Sequence, residues 1–257
     1  MHESLKQLDH RPWPLPETRW NWRQAWLDLA FVHFRARNES ILPLLPDGVK
    51  LQKFDGSPWV GLVPFGMAGV MRRSLPGFLQ LPPFPELNLR TYVEVDGKPG
   101  VWFFSLDADS RILVFGGRHF YGLPYHLAKM QQNWQNGWCE FSSRRRTGPE
   151  CFHGRYRPVG EVFFARPGSF EHWATERYCL FSHTERRGIV CAEVHHAPWP
   201  LQKAEVEIHE SSIISNSGIL LAGEPPVCHF STGVQVVSFP AKSLKRHEPV
   251  FAKRLNA

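Results

Sequence analysis

The stretch YGLPYHLAKM, residues 121–130, brings three proton-active side chains together after a turn. A Gly-Leu-Pro sequence leads directly into Tyr125 and His126, and Lys129 follows. A phenol, an imidazole and an amine can each move protons in catalysis, and a desolvated amine can also act as a nucleophile. If the stretch is a strand, Tyr125 and Lys129 share one face and His126 lies on the opposite face. The three residues are therefore candidates for an acid–base or ligand-binding site.

A second polar stretch is FPELNLRTYVEV, residues 84–95. Strand alternation places one polar set on one face and a mostly apolar set on the other, which must meet the core. The polar set consists of Glu86, Asn88, Arg90, Tyr92 and Glu94. This face is either the exposed side of an antiparallel sheet or the polar lining of a barrel or cleft. In a cleft, Arg90 could hold an anion and Glu86 could act as acid or base.

The Asn-Gly pair at 136–137 predicts the turn that positions the first stretch. Asn-Gly favours a two-residue type I′ hairpin turn, which would place Lys129 directly opposite Arg144. If this pair of cations were buried, their proximity would favour a neutral, nucleophilic lysine; if exposed, they are two solvated charges. We expect the exposed arrangement.

The rest of the sequence predicts a mainly β protein with a few short helices. The 257 residues are 42% hydrophobic and include 10 Trp and 19 Phe, enough to bury a substantial core. Further hairpin signals lie at 55–56 and in DGKPG, 96–100. Residues 20–36 fit a helix or a strand, and 38–49 predict a short helix capped by Asn38. We expect an irregular arm over 1–18 with little to bury, followed by one domain over 19–257.

Charge and cysteine usage narrow the classes of partner. The net charge is +6, and its densest cluster is Arg144, Arg145 and Arg146, followed by Arg155 and Arg157. No nucleic-acid motif accompanies this cluster, so we expect a solvated basic surface. Five cysteines without a CxxC pair, no secretory segment and no long apolar run predict a soluble protein of the cytoplasm that does not bind nucleic acid or membranes.

Metal and nucleotide chemistry find no support in the sequence. His195 and His196 are adjacent, and neighbouring residues of a strand point to opposite faces, so they are poorly placed to bind one metal ion. The sequence contains no HExxH, GxSxG, P-loop or GxGxxG element. We expect no metal and no cofactor.

Several long stretches, in order, resemble one family. FPELNLRTYV, GVWFFSLDADS, GRHFYGLPYHLAKM, TERYCLF and VHHAPWPLQKAEVE together resemble the YqjF-like, DUF2071 family of uncharacterised proteins, from about residue 10 to about residue 240. That family is grouped with acetoacetate decarboxylase-like folds. The resemblance therefore implies a curved, barrel-like antiparallel sheet enclosing a central cavity, and it suggests a homo-oligomer.

The resemblance also assigns roles to residues. Acetoacetate decarboxylase forms a Schiff base through a lysine in a Gly-Phe-Pro-Lys-Lys-like stretch, and the most similar element here is YGLPYHL. By that correspondence Tyr125 stands where the lysine belongs and His126 where its cationic neighbour belongs. Glu86 resembles the active-site glutamate of a Pro-Tyr-Asn-Glu-like stretch. A phenol cannot form an iminium, so the resemblance implies acid–base chemistry by Glu86 and Tyr125, with Lys129 as a less favoured, displaced nucleophile.

Two functions from different classes follow. The first is an enzyme acting on a small carbonyl compound or carboxylate, such as dehydration, isomerisation or an aldol-type step on an oxo-acid. Its substrate-binding candidates are Asn88, Arg90, Arg118, His126 and Lys129, with Arg90 or Arg118 holding the anion. The second is a non-catalytic protein that binds a small molecule in an aromatic-lined cavity. The aromatic candidates for that lining are Trp102, Phe103, Phe104, Phe120 and Tyr121.

Overall fold

The computed structural model describes residues 2–244, and over these residues the chain is mainly β. Thirteen described strands form one sheet, joined by three short α-helices and a few 3₁₀ turns. The strands are β1 (Trp22–Arg35), β2 (Lys50–Leu51), β3 (Trp59–Arg72), β4 (Phe84–Val95), β5 (Lys98–Ala108), β6 (Tyr125–Gln135), β7 (Trp138–Arg145), β8 (Cys151–Phe163), β9 (Cys179–Thr184), β10 (Gly188–His196), β11 (Leu201–Ser211), β12 (Val227–Ser238) and β13 (Lys242–Ser243). The helices are α1 (Asn38–Ile41), α2 (Arg111–Tyr121) and α3 (Phe170–Thr175).

The sheet is strongly curved and pairs back on itself. Its strand order is β13-β10-β9-β5-β6-β7-β8-β11-β12-β1-β3-β4-β2, and two additional pairings join β4 to β5 and β10 to β12. The strands β1, β3, β4, β5, β9, β10 and β12 therefore form a closed circuit. Of the described pairings, β5–β6 and β5–β9 are parallel, and the others are antiparallel. The predicted mainly β class is confirmed, and the architecture is a curved sheet.

The strands of this circuit are buried on both faces. Strand β4 directs Phe84 and Tyr92 into one hydrophobic cluster, which we call the central core, and Leu87 and Leu89 into a second. The central core also contains Leu29, Phe31, Phe65, Val101, Phe103, Leu106, Trp199 and Val236. Because Glu86, Asn88 and Arg90 share the parity of Phe84 and Tyr92, the polar face of β4 points at the central core and not at bulk solvent.

A bulge in β5 adjusts the side chains that face the central core. Leu89 pairs with Ser105, whereas the next residue, Arg90, pairs with Phe103, so Phe104 has no opposite residue. The extra residue lets both Phe103 and Leu106 reach the central core, although they are three positions apart.

The predicted hairpin turns are present. Each has two residues at positive φ, as a type I′ turn requires, and they are Asp55–Gly56, Asp96–Gly97 and Asn136–Gly137. The last of these pairs Lys129 with Arg144, as predicted from the sequence. Residues 20–36 adopt the strand alternative, β1. Helix α1 begins at Asn38 itself and Arg37 precedes it, so the predicted capping role of Asn38 is wrong.

The N-terminal arm packs closely against β10. It is irregular apart from one 3₁₀ turn, Glu3–Lys6. Arg11 donates to the carbonyl oxygen of Val194 at 2.7 Å and to a carboxylate oxygen of Glu193 at 3.2 Å. Ser4 is the only buried residue among residues 2–18, so the arm itself buries little, and these hydrogen bonds attach it to β10. The predicted domain over 19–257 includes residues 245–257, which lie outside the described residues.

The helices of residues 2–244 are short, and none of them has the length and apolar character that crossing a membrane would require. All five cysteines are free thiols.

Candidate functional site

Glu86 and Tyr125 form a buried hydrogen-bonded pair at the central core. The Tyr125 hydroxyl donates to Glu86 Oε2 at 3.0 Å, and the residues are 2% and 6% exposed. Their strands flank β5, where Glu86 lies opposite Ala108 and Tyr125 opposite Leu106. The two residues named from the sequence as acid–base candidates are therefore in direct contact.

Helix α2 fixes the position of Tyr125. The helix ends at Gly122, whose φ of 63° is left-handed, and the chain then enters β6 at Tyr125. The Tyr125 ring lies directly against Gly117 of the helix: a Cβ added there would be 2.6 Å from ring atom Cε2 and closer still to Cδ2. Arg118 donates from Nε to the carbonyl oxygen of Tyr125 at 2.5 Å. Two adjacent residues of α2 thus fix Tyr125: Gly117 leaves room for its ring, and Arg118 holds its backbone carbonyl.

Burial makes both members of the pair neutral near pH 7. Loss of solvation raises the pKa of Glu86 to about 8, and the nearby Asp107 adds to the rise, while the Tyr125 hydrogen bond opposes it. Burial, together with the adjacent carboxyl of Glu86, raises the pKa of Tyr125 well above its usual value. A neutral carboxylic acid and a phenol can both donate to a developing oxyanion, an arrangement suited to carbonyl chemistry.

Asn88 and Arg90 extend this polar face along β4. Asn88 is buried, and its Oδ1 has no hydrogen-bond partner among the described residues; the same holds for Nε of the half-buried Arg90. The Arg90 guanidinium lies over the rings of Phe31, at 5.6 Å, and Tyr92, at 5.8 Å. Among the described residues no carboxylate lies within 4.0 Å of it. A cation without a counter-charge beside a core is a natural place for an anionic ligand.

Two histidines and a second arginine also lie at this core, although the sequence did not predict them as site residues. His33 is fully buried, with Nε2 2.5 Å from the Tyr92 hydroxyl, and His229 has Nε2 3.4 Å from a Glu171 carboxylate oxygen. Nδ1 of both histidines and Nη2 of the buried Arg177 have no hydrogen-bond partner among residues 2–244. His33 and His229 have mainly apolar neighbours in the sequence, and Arg177 follows Glu176 in TERYCLF, so only the three-dimensional clustering of their unpaired polar atoms marks them.

Three predicted substrate-binding residues lie elsewhere. Lys129 shares the parity of Tyr125, but β6 has passed the edge of the core at that point, so Lys129 is exposed. His126 points to the opposite side of β6, where burial and the nearby Arg145 lower its pKa. Arg118 is exposed on α2 and contacts the backbone of Tyr125, so it positions the pair and does not face it.

The basic cluster is largely paired with carboxylates. Arg145 donates to Asp107 at 2.7 Å, where the side chains are 8% and 1% exposed, and this pair is a buried structural contact on the far side of β5 and β6. Arg144, Arg155 and Arg157 each lie within 4.0 Å of a glutamate. These pairs favour the solvated-surface interpretation of the cluster.

The five aromatic residues proposed for a cavity lining do not share one side of the sheet. Phe103 lies in the central core and Trp102 in a different cluster, while Phe120 is 61% exposed. Alternation along β5 and the bulge at Phe104 separate the three residues of that strand, and Phe120 and Tyr121 lie on α2. The aromatic rings beneath the Arg90 guanidinium are instead those of Phe31 and Tyr92, and Trp173 packs against Tyr92.

Over residues 2–244 no cluster of three or more His, Cys, Asp or Glu side chains is arranged to hold a metal ion. His195 and His196 bind different backbone carbonyls, those of Ser4 and Ala197, at 2.7 Å each.

Comparison with known proteins places the chain in a family. The model of DUF2071, described as an uncharacterized conserved protein, matches residues 23–235. The chain belongs to the DUF2071 family. It is 37% identical over 229 residues to the uncharacterized protein YqjF of Bacillus subtilis, covering 89% of this chain and 94% of that protein.

Solved structures show the same fold at low identity. The enduracididine biosynthesis enzyme MppR with bound HEPES has a TM-score of 0.66 and 11% identity, covering 90% of each chain. MppR complexed with pyruvate gives 0.64 and 13%, covering 93% of this chain and 95% of that one. The acetoacetate decarboxylase of Legionella pneumophila gives 0.61 and 14%, with coverages of 92% and 93%. The acetoacetate decarboxylase-like fold implied by the sequence is therefore confirmed.

Proposed function

We propose that this protein binds a small oxo-acid at the central core and moves protons on it through Tyr125 and Glu86, without a Schiff-base lysine. The observation that carries the proposal is the buried Tyr125–Glu86 hydrogen bond on the same face of β4 as Arg90, a cation that lacks a carboxylate partner among the described residues. The face of β4, with Tyr125 of β6 against it, thus offers hydrogen-bond donors for the carbonyl oxygen of a ligand and a positive charge for its carboxylate.

Arg90 would hold the carboxylate of the ligand, and the side-chain amide nitrogen of Asn88 would donate to the same carboxylate. A guanidinium is the side chain best suited to a carboxylate because it offers parallel N–H donors in a plane. Arg90 and Glu86 are four residues apart on one face of β4, about 13 Å between their Cα atoms at about 3.3 Å per residue, so the long Arg90 side chain would have to extend along the strand for both residues to contact one small ligand. Pyruvate, present in one MppR complex, carries the two groups that this arrangement requires, a carboxylate and a carbonyl.

The carbonyl oxygen of the ligand would lie against Tyr125 and Glu86. Glu86 is protonated near neutral pH because its pKa is about 8, so it can give a proton to an oxygen that gains negative charge. Tyr125 keeps its proton and, once its single O–H turns from Glu86 to the ligand, would stabilise the same oxygen by hydrogen bonding. These roles suit enolisation, isomerisation or dehydration of an oxo-acid.

Schiff-base chemistry is not part of this proposal. Tyr125 occupies the position that the resemblance gives to the lysine, and Lys129 is exposed on β6 beyond the core. A reacting group misplaced by even about 1 Å loses most of its rate, so an exposed amine is no substitute.

Calorimetric titration with pyruvate, acetate and acetone tests the proposal. We expect pyruvate to bind, acetate to bind more weakly because it has no carbonyl group, and acetone not to bind because it has no carboxylate. Arg90→Gln is expected to weaken pyruvate binding at least about tenfold, which corresponds to about 1.4 kcal/mol. Arg144→Gln, an arginine exposed on β7, is the matched control and should bind as the unmodified protein does. Absence of pyruvate binding, or equal binding by Arg90→Gln, would contradict the proposal.

A binding protein without turnover is the second candidate, favoured by aromatic rings of α3 that pack against His33 and against Tyr92, a ring beneath Arg90. Phe170 and Trp173 of α3 are half-buried and pack against His33 and Tyr92 at 5.3 and 4.6 Å between ring centroids. Such a wall would accept a flat apolar group next to a carboxylate. Two results would distinguish this function from the enzyme proposed above. A ligand would bind equally well to Glu86→Gln, and the unmodified protein would return it unchanged, without exchange of its hydrogens.

A further inference from the structure

His229 has one ring nitrogen beside a carboxylate and the other free. Nε2 lies 3.4 Å from Oε1 of Glu171, while Nδ1 is buried and has no hydrogen-bond partner among the described residues. A carboxylate next to Nε2 favours the proton on that nitrogen, which leaves the Nδ1 lone pair available as a proton acceptor. Glu171 is 29% exposed, so it also links the imidazole to water.

The sheet and α3 bring His229 to the same core as Arg90. His229 lies opposite Phe31 on β1, and the Phe31 ring is one of the two over which the Arg90 guanidinium lies. Phe170 of α3 packs against His33, and the next residue of that helix is Glu171. His229, with its free Nδ1 lone pair, thus lies on β12, whereas Glu86 and Tyr125 lie on β4 and β6.

We infer that His229, oriented by Glu171, is a second proton-transfer group of the interior site and acts as the base that removes a proton from the carbon next to the ligand carbonyl. This inference rests on the proposed function, because the ligand must first be held by Arg90. It narrows the reaction class to proton abstraction next to a carbonyl group, that is, enolisation.

The step is balanced by groups of this chain. Nδ1 of His229 takes the proton from the methyl carbon of pyruvate, and the electron pair of that C–H bond becomes the new carbon–carbon double bond. The π electrons of the carbonyl move to its oxygen, which receives the proton of the neutral Glu86 carboxyl. The products are the enol, an imidazolium on His229 and a carboxylate on Glu86. In D₂O, exchange at these two sites and reversal of the step place deuterium on the methyl carbon.

Methyl-hydrogen exchange of pyruvate in D₂O, followed by proton NMR, tests the inference, with pyruvate binding measured on the same samples. We expect exchange above the buffer rate for the unmodified protein and a loss of at least about tenfold in the catalysed rate for His229→Gln, with binding retained. His153→Gln replaces an exposed histidine and is the matched control. Pyruvate that binds without exchange, or undiminished exchange by His229→Gln, would overturn the inference and leave the proposed binding intact. Failure of the unmodified protein to bind pyruvate would overturn both.

A second measurement does not depend on the folding of the His229 variant. Long-range proton–nitrogen NMR of the unmodified protein should show His229 as the Nε2–H tautomer, and its Nδ1 resonance should shift when pyruvate is added. Glu171→Gln should change the tautomer ratio and reduce exchange with little effect on binding, as expected of a positioning residue. An Nδ1–H tautomer in the unmodified protein would overturn the inference, since that nitrogen could not accept a proton.

Discussion

The raised pKa of Glu86 makes a quantitative prediction for Glu86→Gln. A carboxyl whose folded-state pKa exceeds its unfolded value keeps its proton on folding while the unfolded chain loses it, so stability falls as pH rises between the two values. For Glu86 this window runs from 4.5 to about 8. The difference of about 3.5 pKa units corresponds to roughly 5 kcal/mol, at about 1.4 kcal/mol per unit. Glutamine has no proton to lose, and its side-chain oxygen can still accept from Tyr125.

Urea unfolding of the two proteins from pH 4 to pH 9, followed by fluorescence of the 10 Trp residues, measures this effect. We expect equal stability near pH 4 and an advantage for Glu86→Gln that grows above pH 4.5 and levels off above pH 8. The value of roughly 5 kcal/mol is a ceiling, because water reaching the carboxylate would reduce it. Burial also raises the pKa of Asp107, but that contribution is present in both proteins and cancels in the difference.

A difference curve that stays flat to within about 1 kcal/mol between pH 4.5 and pH 9 would contradict the raised pKa of Glu86 in the folded protein. It would mean that Glu86 is hydrated or paired with a cation in the folded protein. The proposed proton donation by Glu86 near neutral pH would then lose its basis.

Three further predictions concern the surroundings of the pair. Gly117→Ala should displace the Tyr125 ring and weaken pyruvate binding at least about tenfold in calorimetry, whereas Gly116→Ala, whose new Cβ would be 3.9 Å from its nearest neighbour, should not; equal binding by both variants would contradict the role of α2. Borohydride reduction in the presence of pyruvate should leave Lys129 unmodified in peptide mass spectrometry, and a reduced adduct on that residue would restore Schiff-base chemistry. Arg145→Gln should lower the free energy of unfolding in urea by about 3–5 kcal/mol, because its carboxylate partner stays buried; a loss below about 1 kcal/mol would show that the pair is solvated.

The local elements of the fold were predictable where a short motif dictates the backbone. Asp-Gly and Asn-Gly pairs fix two-residue turns through their positive φ values, and the Asn136–Gly137 turn sets the whole register of β6 and β7. The curvature of the sheet was not predictable from periodicity, because it depends on the long-range pairings β1–β12, β5–β9 and β10–β12 and on the bulge at Phe104. It entered only through the family resemblance.

The candidate site was predictable only in part, because local strand alternation groups residues on a face but does not place that face in the fold. Alternation correctly grouped Glu86, Asn88 and Arg90, but alternation does not say whether a polar face meets solvent or a core. Alternation also grouped Lys129 with Tyr125, yet on that face of β6 burial ends before Lys129, although Met130 on the opposite face is still buried. His229 is brought to the site by a sheet pairing and by α3, so no local sequence signal identifies it.

The most direct test of the account is carbon-13 NMR of protein labelled at the glutamate side-chain carboxyl carbons, with the Glu86 resonance assigned by its loss in Glu86→Gln. We predict that this resonance titrates near pH 8 in the free protein and shifts when pyruvate is added, and that the shift on pyruvate addition is lost in Arg90→Gln. A Glu86 resonance that titrates near 4.5, or one that does not respond to pyruvate, would contradict the claim that a neutral Glu86–Tyr125 pair and Arg90 form one ligand site.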